Sequence, residues 1–128
     1  MTTSNQPIKA NELRIGNLIR YGNPIHKDLP IYKITGIFEH TFYLDGDAVS
    51  SNNSNILGIP LTKELLLELS FIKHFPSGSL FVLGTFIVNI FGREGIYESR
   101  NHIKIEYLHQ LQNLYFTLEG KELKINNI

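Results

Sequence analysis

The sequence predicts an α+β fold made mainly of short antiparallel strands, with one helix near the middle and another near the end. Three observations carry the prediction. Short runs rich in Ile, Val, Phe and Tyr recur between turn residues, as strands do. Two stretches, 62–70 and 106–119, place leucines at helical spacing. The chain has 128 residues, is 42% hydrophobic and 11% aromatic, and has no cysteine. A chain of that size buries roughly two-thirds of its unfolded surface, so a core can form without a disulfide or metal staple. The expected organisation is a flexible tail over 1–10 and a single α+β domain over 11–128. That domain would open with a small N-terminal β-barrel or curled antiparallel sheet. A central helix, antiparallel hairpins and a C-terminal helix packed on the sheet would follow.

Each element has a local reason. Residues 13–21 alternate about Gly16, as a strand does at a bend or bulge. Residues 31–37 and 41–44 are β-rich, and Asp45-Gly46 is a strong hairpin turn pair. The Ser/Asn run 50–55 reads as an exposed loop, after which 56–59 returns to the sheet. Thr62 can cap the free amides of a helix running to about Ser70, and Glu64 suits its positive end. Leu61 and Leu66 stand at the two positions of a hydrophobic staple. Residues 71–75, 80–83, 85–91, 96–98 and 102–105 read as strands, with turns at 76–79 and 92–95. In the second helix, Leu108, Leu111, Leu114, Tyr115 and Leu118 are expected to form the buried stripe. Gly120 suits a left-handed C-cap, and 121–125 reads as a short final strand.

Two motifs carry a resemblance. Glu12-Leu13-Arg14-Ile15-Gly16-Asn17-Leu18-Ile19 opens the chain. Tyr107-Leu108-His109-Gln110-Leu111-Gln112-Asn113-Leu114-Tyr115-Phe116, followed by Gly120 and Glu122-Leu123, closes it. Between them stands Ile59-Pro60-Leu61-Thr62-Lys63-Glu64-Leu65-Leu66. In this order they resemble a family of small proteins of Bacteroidota genomes, often found near prophage or mobile-element genes. The resemblance spans about 11–125 and implies a provenance, with no catalytic residue to carry over. Separately, the strand, Gly16-Asn17, strand opening is similar to Src-homology-3-like and Tudor/KOW-type small barrels, a likeness of fold alone.

Composition and motifs narrow the function classes. Lys plus Arg and Asp plus Glu are 12 each, so no excess of positive charge is available for coating nucleic acid. Zero net charge also leaves copies free of long-range repulsion, which is compatible with a homo-oligomer. Without cysteine there is no thiol nucleophile, iron–sulfur cluster or thiolate zinc site. The opening Met1 to Pro7 lacks the features of a signal peptide, and no apolar run is long enough for a membrane helix. The expectation is a protein of the bacterial cytoplasm with no membrane partner. Histidines 26, 40, 74, 102 and 109 are scattered. Glu106 and His109 stand three apart, as in di-iron bundles, but the second copy and further glutamates such sites require are missing. No Gly-x-Ser-x-Gly elbow or phosphate loop is present. No catalytic residue, metal or cofactor is expected, and the reading is that the protein is not an enzyme.

Two surfaces remain as candidates. On the second helix, His109, Gln112, Asn113 and Phe116 share an uncharged stripe, whereas solvated helix faces usually carry Lys and Glu. Charge depletion with an aromatic suits a protein interface. The plainer account buries Phe116 and lets the amides bond to a neighbouring segment. The second candidate combines Arg14, Arg20, Tyr21, Lys27, Tyr32 and Lys33 in the first strands, where rings could stack bases and cations hold phosphates. The leading expectation is therefore a non-enzymatic protein-interaction module of phage or mobile-element origin, with an accessory, host-takeover or counter-defence role. Nucleic-acid binding by a small barrel and small-ligand binding are the alternatives.

Overall fold

Asp45 and Gly46 show how sequence becomes architecture here. Both take positive φ, 50° and 92°, as the two central residues of a type I′ turn do. That turn suits the right-handed twist of the strands it joins, Thr41–Leu44 and Asp47–Ser50. The computed structural model describes residues 12–23, 25, 26, 28–38, 41–50, 55–74 and 78–125. The expected tail, the centre of the Ser/Asn loop and the first half of the turn at 76–79 lie outside these residues. The described elements run β1 (Leu18–Tyr21), β2 (Ile31–Ile37), β3 (Thr41–Leu44), β4 (Asp47–Ser50), β5 (Ile56–Leu57), α1 (Lys63–Glu68), β6 (Ile72–His74), β7 (Leu80–Leu83), β8 (Phe86–Ile90), β9 (Ile96–Glu98), β10 (Ile103–Ile105) and α2 (Leu108–Glu119). The fold is thus α+β with two antiparallel five-stranded sheets and two helices. The chain divides into two compact units, with the break between Ile59 and Pro60.

The first unit holds the sheet β4-β3-β2-β1-β5, with β4 and β5 at its ends. Its core gathers Leu13, Ile19, Ile34, Phe42, Leu44 and Ile56, flanked by Tyr21, Tyr32, Ile37 and Val49. The expected strand over 13–21 is shorter, beginning only at Leu18. Gly16, at φ 99°, turns the chain, and Asn17 fastens the turn. The buried Asn17 side chain accepts from the Arg14 amide at 2.7 Å, and the Asn17 amide donates to the Arg14 carbonyl at 3.0 Å. The register of β2 shifts between Ile34 and Gly36. This β-bulge at Thr35 lets Ile34 and Ile37 both face the core although they are three apart. β4 is a strand that its residues do not announce, since Asp47-Ala48-Val49-Ser50 is poor in β-formers. The I′ turn and the pairing with β3 impose it.

The second unit holds the sheet β10-β9-β8-β7-β6, a run of sequential antiparallel neighbours. α2 packs on β8 and β10. Phe81, Phe86, Val88, Ile96 and Ile105 of the sheet are buried, as are Leu108, Leu111 and Tyr115 of α2, Leu66 of α1 and Leu69, which caps the end of α1. Thr62 caps α1, accepting from the Leu65 amide at 3.1 Å. α1 ends earlier than its leucine pattern suggests, because Ser70 turns left-handed at φ 73°. Gly120, also at φ 73°, ends α2. At the start of α2, the Gln110 side-chain oxygen accepts from the amides of Glu106 and Tyr107 at 2.8 and 3.1 Å. Residues 121–125 form no strand, contrary to expectation; Leu123 is buried there as part of an irregular segment.

Candidate functional site

The α2 stripe divides when folded. His109 and Gln112 are buried at 0% and 3% exposure, Asn113 is half-buried and Phe116 is 42% exposed. His109 stacks on Tyr107, with ring centroids 5.9 Å apart and planes 15° apart. The expected leucine stripe divides too: Leu108 and Leu111 are buried, Leu114 is half-buried and Leu118 is 37% exposed. The helix is therefore rotated about its axis relative to its leucine pattern, with His109 and Gln112 turned inward. What α2 shows to solvent, fully or in part, is Gln110, Asn113, Leu114, Phe116, Thr117, Leu118 and, at its last position, Glu119; from Gln110 to Leu118 none of these is charged. Glu119, the only charged residue of the helix, accepts a hydrogen bond from the Thr85 hydroxyl at 2.6 Å.

The basic-aromatic set of the first unit is also separated. In the β1–β2 register, Ile19 lies opposite Tyr32, Leu18 opposite Lys33 and Arg20 opposite Ile31. Residues directly opposite one another share a face, and neighbours along a strand alternate. Tyr21 and Tyr32 therefore face the core, where they meet edge-on at 6.1 Å. Arg20 and Lys33 belong to the other face. The Arg20 guanidinium donates to the Leu29 carbonyl. Arg14 is half-buried in the preceding turn, and Lys27 lies outside the described residues. Rings and cations from these two strands do not form one surface.

Two features were not legible beforehand. Phe91, Tyr97 and His102 meet on the second sheet, with Tyr97 and His102 stacked at 4.7 Å and 14° and Phe91 edge-on to both. The other is a cavity of about 270 Å³ lined by Leu69, Ser70, Leu83, Tyr115, Lys121, Glu122 and Lys124. Its residues come from the end of α1, the end of β7, α2 and the segment after Gly120. No sequence motif links them, because four separate stretches converge only in the folded unit.

Among the described residues, no group of three or more His, Cys, Asp or Glu could hold a metal ion. No helix among them is long and apolar enough to cross a membrane. Glu106 is exposed while His109 is buried, so the pair offers no shared ligand geometry. Compared with family models, curated proteins and solved structures, the chain matches none.

Proposed function

We propose that this protein is a non-enzymatic protein-interaction module, acting in the cytoplasm of a bacterial host and of phage or mobile-element origin. One observation carries the interaction reading. From Gln110 to Leu118 the solvent-facing side of α2 has no charged side chain and presents Phe116 beside Asn113 and Thr117. An isolated helix face is normally kept wet by Lys and Glu, whereas interface centres lose charge and gain aromatics. The partner that fits is a protein surface with an apolar recess for the Phe116 ring and hydrogen-bonding groups around it for Gln110, Asn113 and Thr117. The phage or mobile-element provenance rests on the resemblance of the two terminal motifs.

The test is affinity capture from a bacterial host lysate with wild type and with a Phe116→Glu, Thr117→Lys variant. Both substituted positions are exposed, so the variant keeps its core. The expected result is a partner held by wild type and lost from the variant. Capture of the same set by both would end the assignment of the α2 face. The second reading is nucleic-acid binding by a Tudor- or KOW-like first sheet. The opposed faces of its rings and cations argue against it, and it predicts an electrophoretic shift that weakens steeply with salt.

A further inference from the structure

We propose that the cavity beside the end of α2 takes a small organic anion with an apolar body, of the aryl or short alkyl carboxylate class. At about 270 Å³ it is at the small end of ligand pockets, so its occupant is small. Its lining divides by chemistry. Leu69, Leu83 and Tyr115 form an apolar wall. Leu69 and Tyr115 are core residues at 2% and 6% exposure, which makes that wall rigid. Phe86 braces the Tyr115 ring, with centroids 5.2 Å apart. The polar side carries Ser70, Lys121, Glu122 and Lys124. Two ammonium groups against one carboxylate leave one positive charge, whose complement is a single negative charge on the ligand.

Ser70 is the second observation. The end of α1 is a Schellman motif. The Phe71 amide donates to the Leu66 carbonyl at 3.0 Å, and the Ser70 amide donates to the Leu67 carbonyl at 3.1 Å. The residue at Ser70 must then be left-handed, and it is, at φ 73°. Glycine fills this position without strain, whereas a serine Cβ is crowded there. Ending the helix gives no reason for a serine. A hydroxyl on the cavity wall does give one, since it can donate to an anion drawn in by Lys121 and Lys124. Strain held at a cavity wall is a mark of a functional position. Gly120 supplies the corresponding turn on the other side, leading the chain off α2 into the segment that carries both lysines.

The test is a heteronuclear NMR titration of the full chain with phenylacetate and with its neutral counterpart, phenylacetamide. Phenylacetate should produce saturable shifts at Leu69, Ser70, Leu83, Tyr115, Lys121 and Lys124, and phenylacetamide should bind more weakly. The Lys121→Gln, Lys124→Gln variant should lose roughly fivefold to tenfold in phenylacetate affinity, within what two exposed charge contacts supply. Its phenylacetamide affinity should be unchanged. Both lysines are exposed, so this variant folds. Ser70→Gly relieves the backbone while weakening phenylacetate selectively. Absence of saturable shifts at these residues would overturn the proposal. So would equal affinity for the two probes, or phenylacetate affinity unchanged in the double-lysine variant. Phe116→Glu should leave the titration unaltered, which separates this site from the α2 face.

Discussion

The buried carboxylate of Glu98 accepts a hydrogen bond from the backbone amide of Arg100 at 2.9 Å. Its other oxygen accepts from the Asn101 amide at 2.8 Å. One side chain thus fastens the turn between β9 and β10. The Arg100 guanidinium continues the linkage, donating to the Thr85 carbonyl at 2.7 Å.

Glu98→Ala removes both acceptors and leaves two amides of the turn unmatched. Hydrogen bonds to a charged group contribute about 1.5–3 kcal/mol each, and part of that is recovered from water. The expected loss is about 2–3 kcal/mol in urea unfolding. Glu98→Gln keeps one acceptor oxygen and should lose less than Glu98→Ala.

Leu111 is fully buried, at 0% exposure, on the inward side of α2. Leu111→Ala should cost about 2–5 kcal/mol, the transfer free energy of the lost methyl groups plus the cavity they leave. A thermal shift no larger than that of Thr117→Ala on the exposed face would sink the assignment.

Gly36 lies against Phe38 and Tyr43, whose rings meet edge-on at 5.4 Å. A Cβ added there would stand 3.2 Å from Phe38 Cε2 and 3.3 Å from Tyr43 Cβ. Its φ is ordinary, so space and not backbone conformation requires the glycine. Gly36→Ala should destabilise by about 1–3 kcal/mol, the usual cost of overpacking. Adding Phe38→Ala should recover only part of this, because Tyr43 Cβ is fixed to the backbone and cannot swing away. Full recovery in the double variant, measured by denaturant midpoint, would contradict the contact with Tyr43.

Asn89 in β8 has a buried side-chain oxygen with no hydrogen-bond partner among the described residues. It sits in register between Leu80 and Tyr97. Asn89→Val removes an unmatched acceptor and adds a β-branched residue to a strand. The expected gain is about 1 kcal/mol, read as a higher melting temperature. An unchanged or lower melting temperature would show that the amide is satisfied in solution.

Features set within a few residues were legible before the structure. Thr62 caps α1, Asp45-Gly46 closes a hairpin and Gly120 ends α2, because capping and left-handed turns depend on chemistry between near neighbours. Ile31–Ile37 and Thr41–Leu44 appear as strands for the same reason. The errors lie where distant segments decide. Asp47–Ser50 is a strand because β3 pairs with it, and 121–125 finds no partner strand. The early stop of α1 is a local exception: Ser70 takes the left-handed turn that a glycine would have announced.

By itself, the sequence determined an α+β chain with its main turns, its helix ends and no cysteine chemistry, since each depends on composition or a local pattern. The tertiary structure alone decided which side of α2 faces the core. Leucine spacing favours Leu114 and Leu118, whereas packing buries His109 and Gln112 and leaves Phe116 in solvent. It likewise set Tyr21 and Tyr32 on the face opposite Arg20 and Lys33, because strand register assigns sides that composition cannot. Ser70 and Lys121, 51 positions apart, became one cavity wall through the same cause. Rotation about a helix axis and pairing between strands are non-local choices, made by the total burial they achieve.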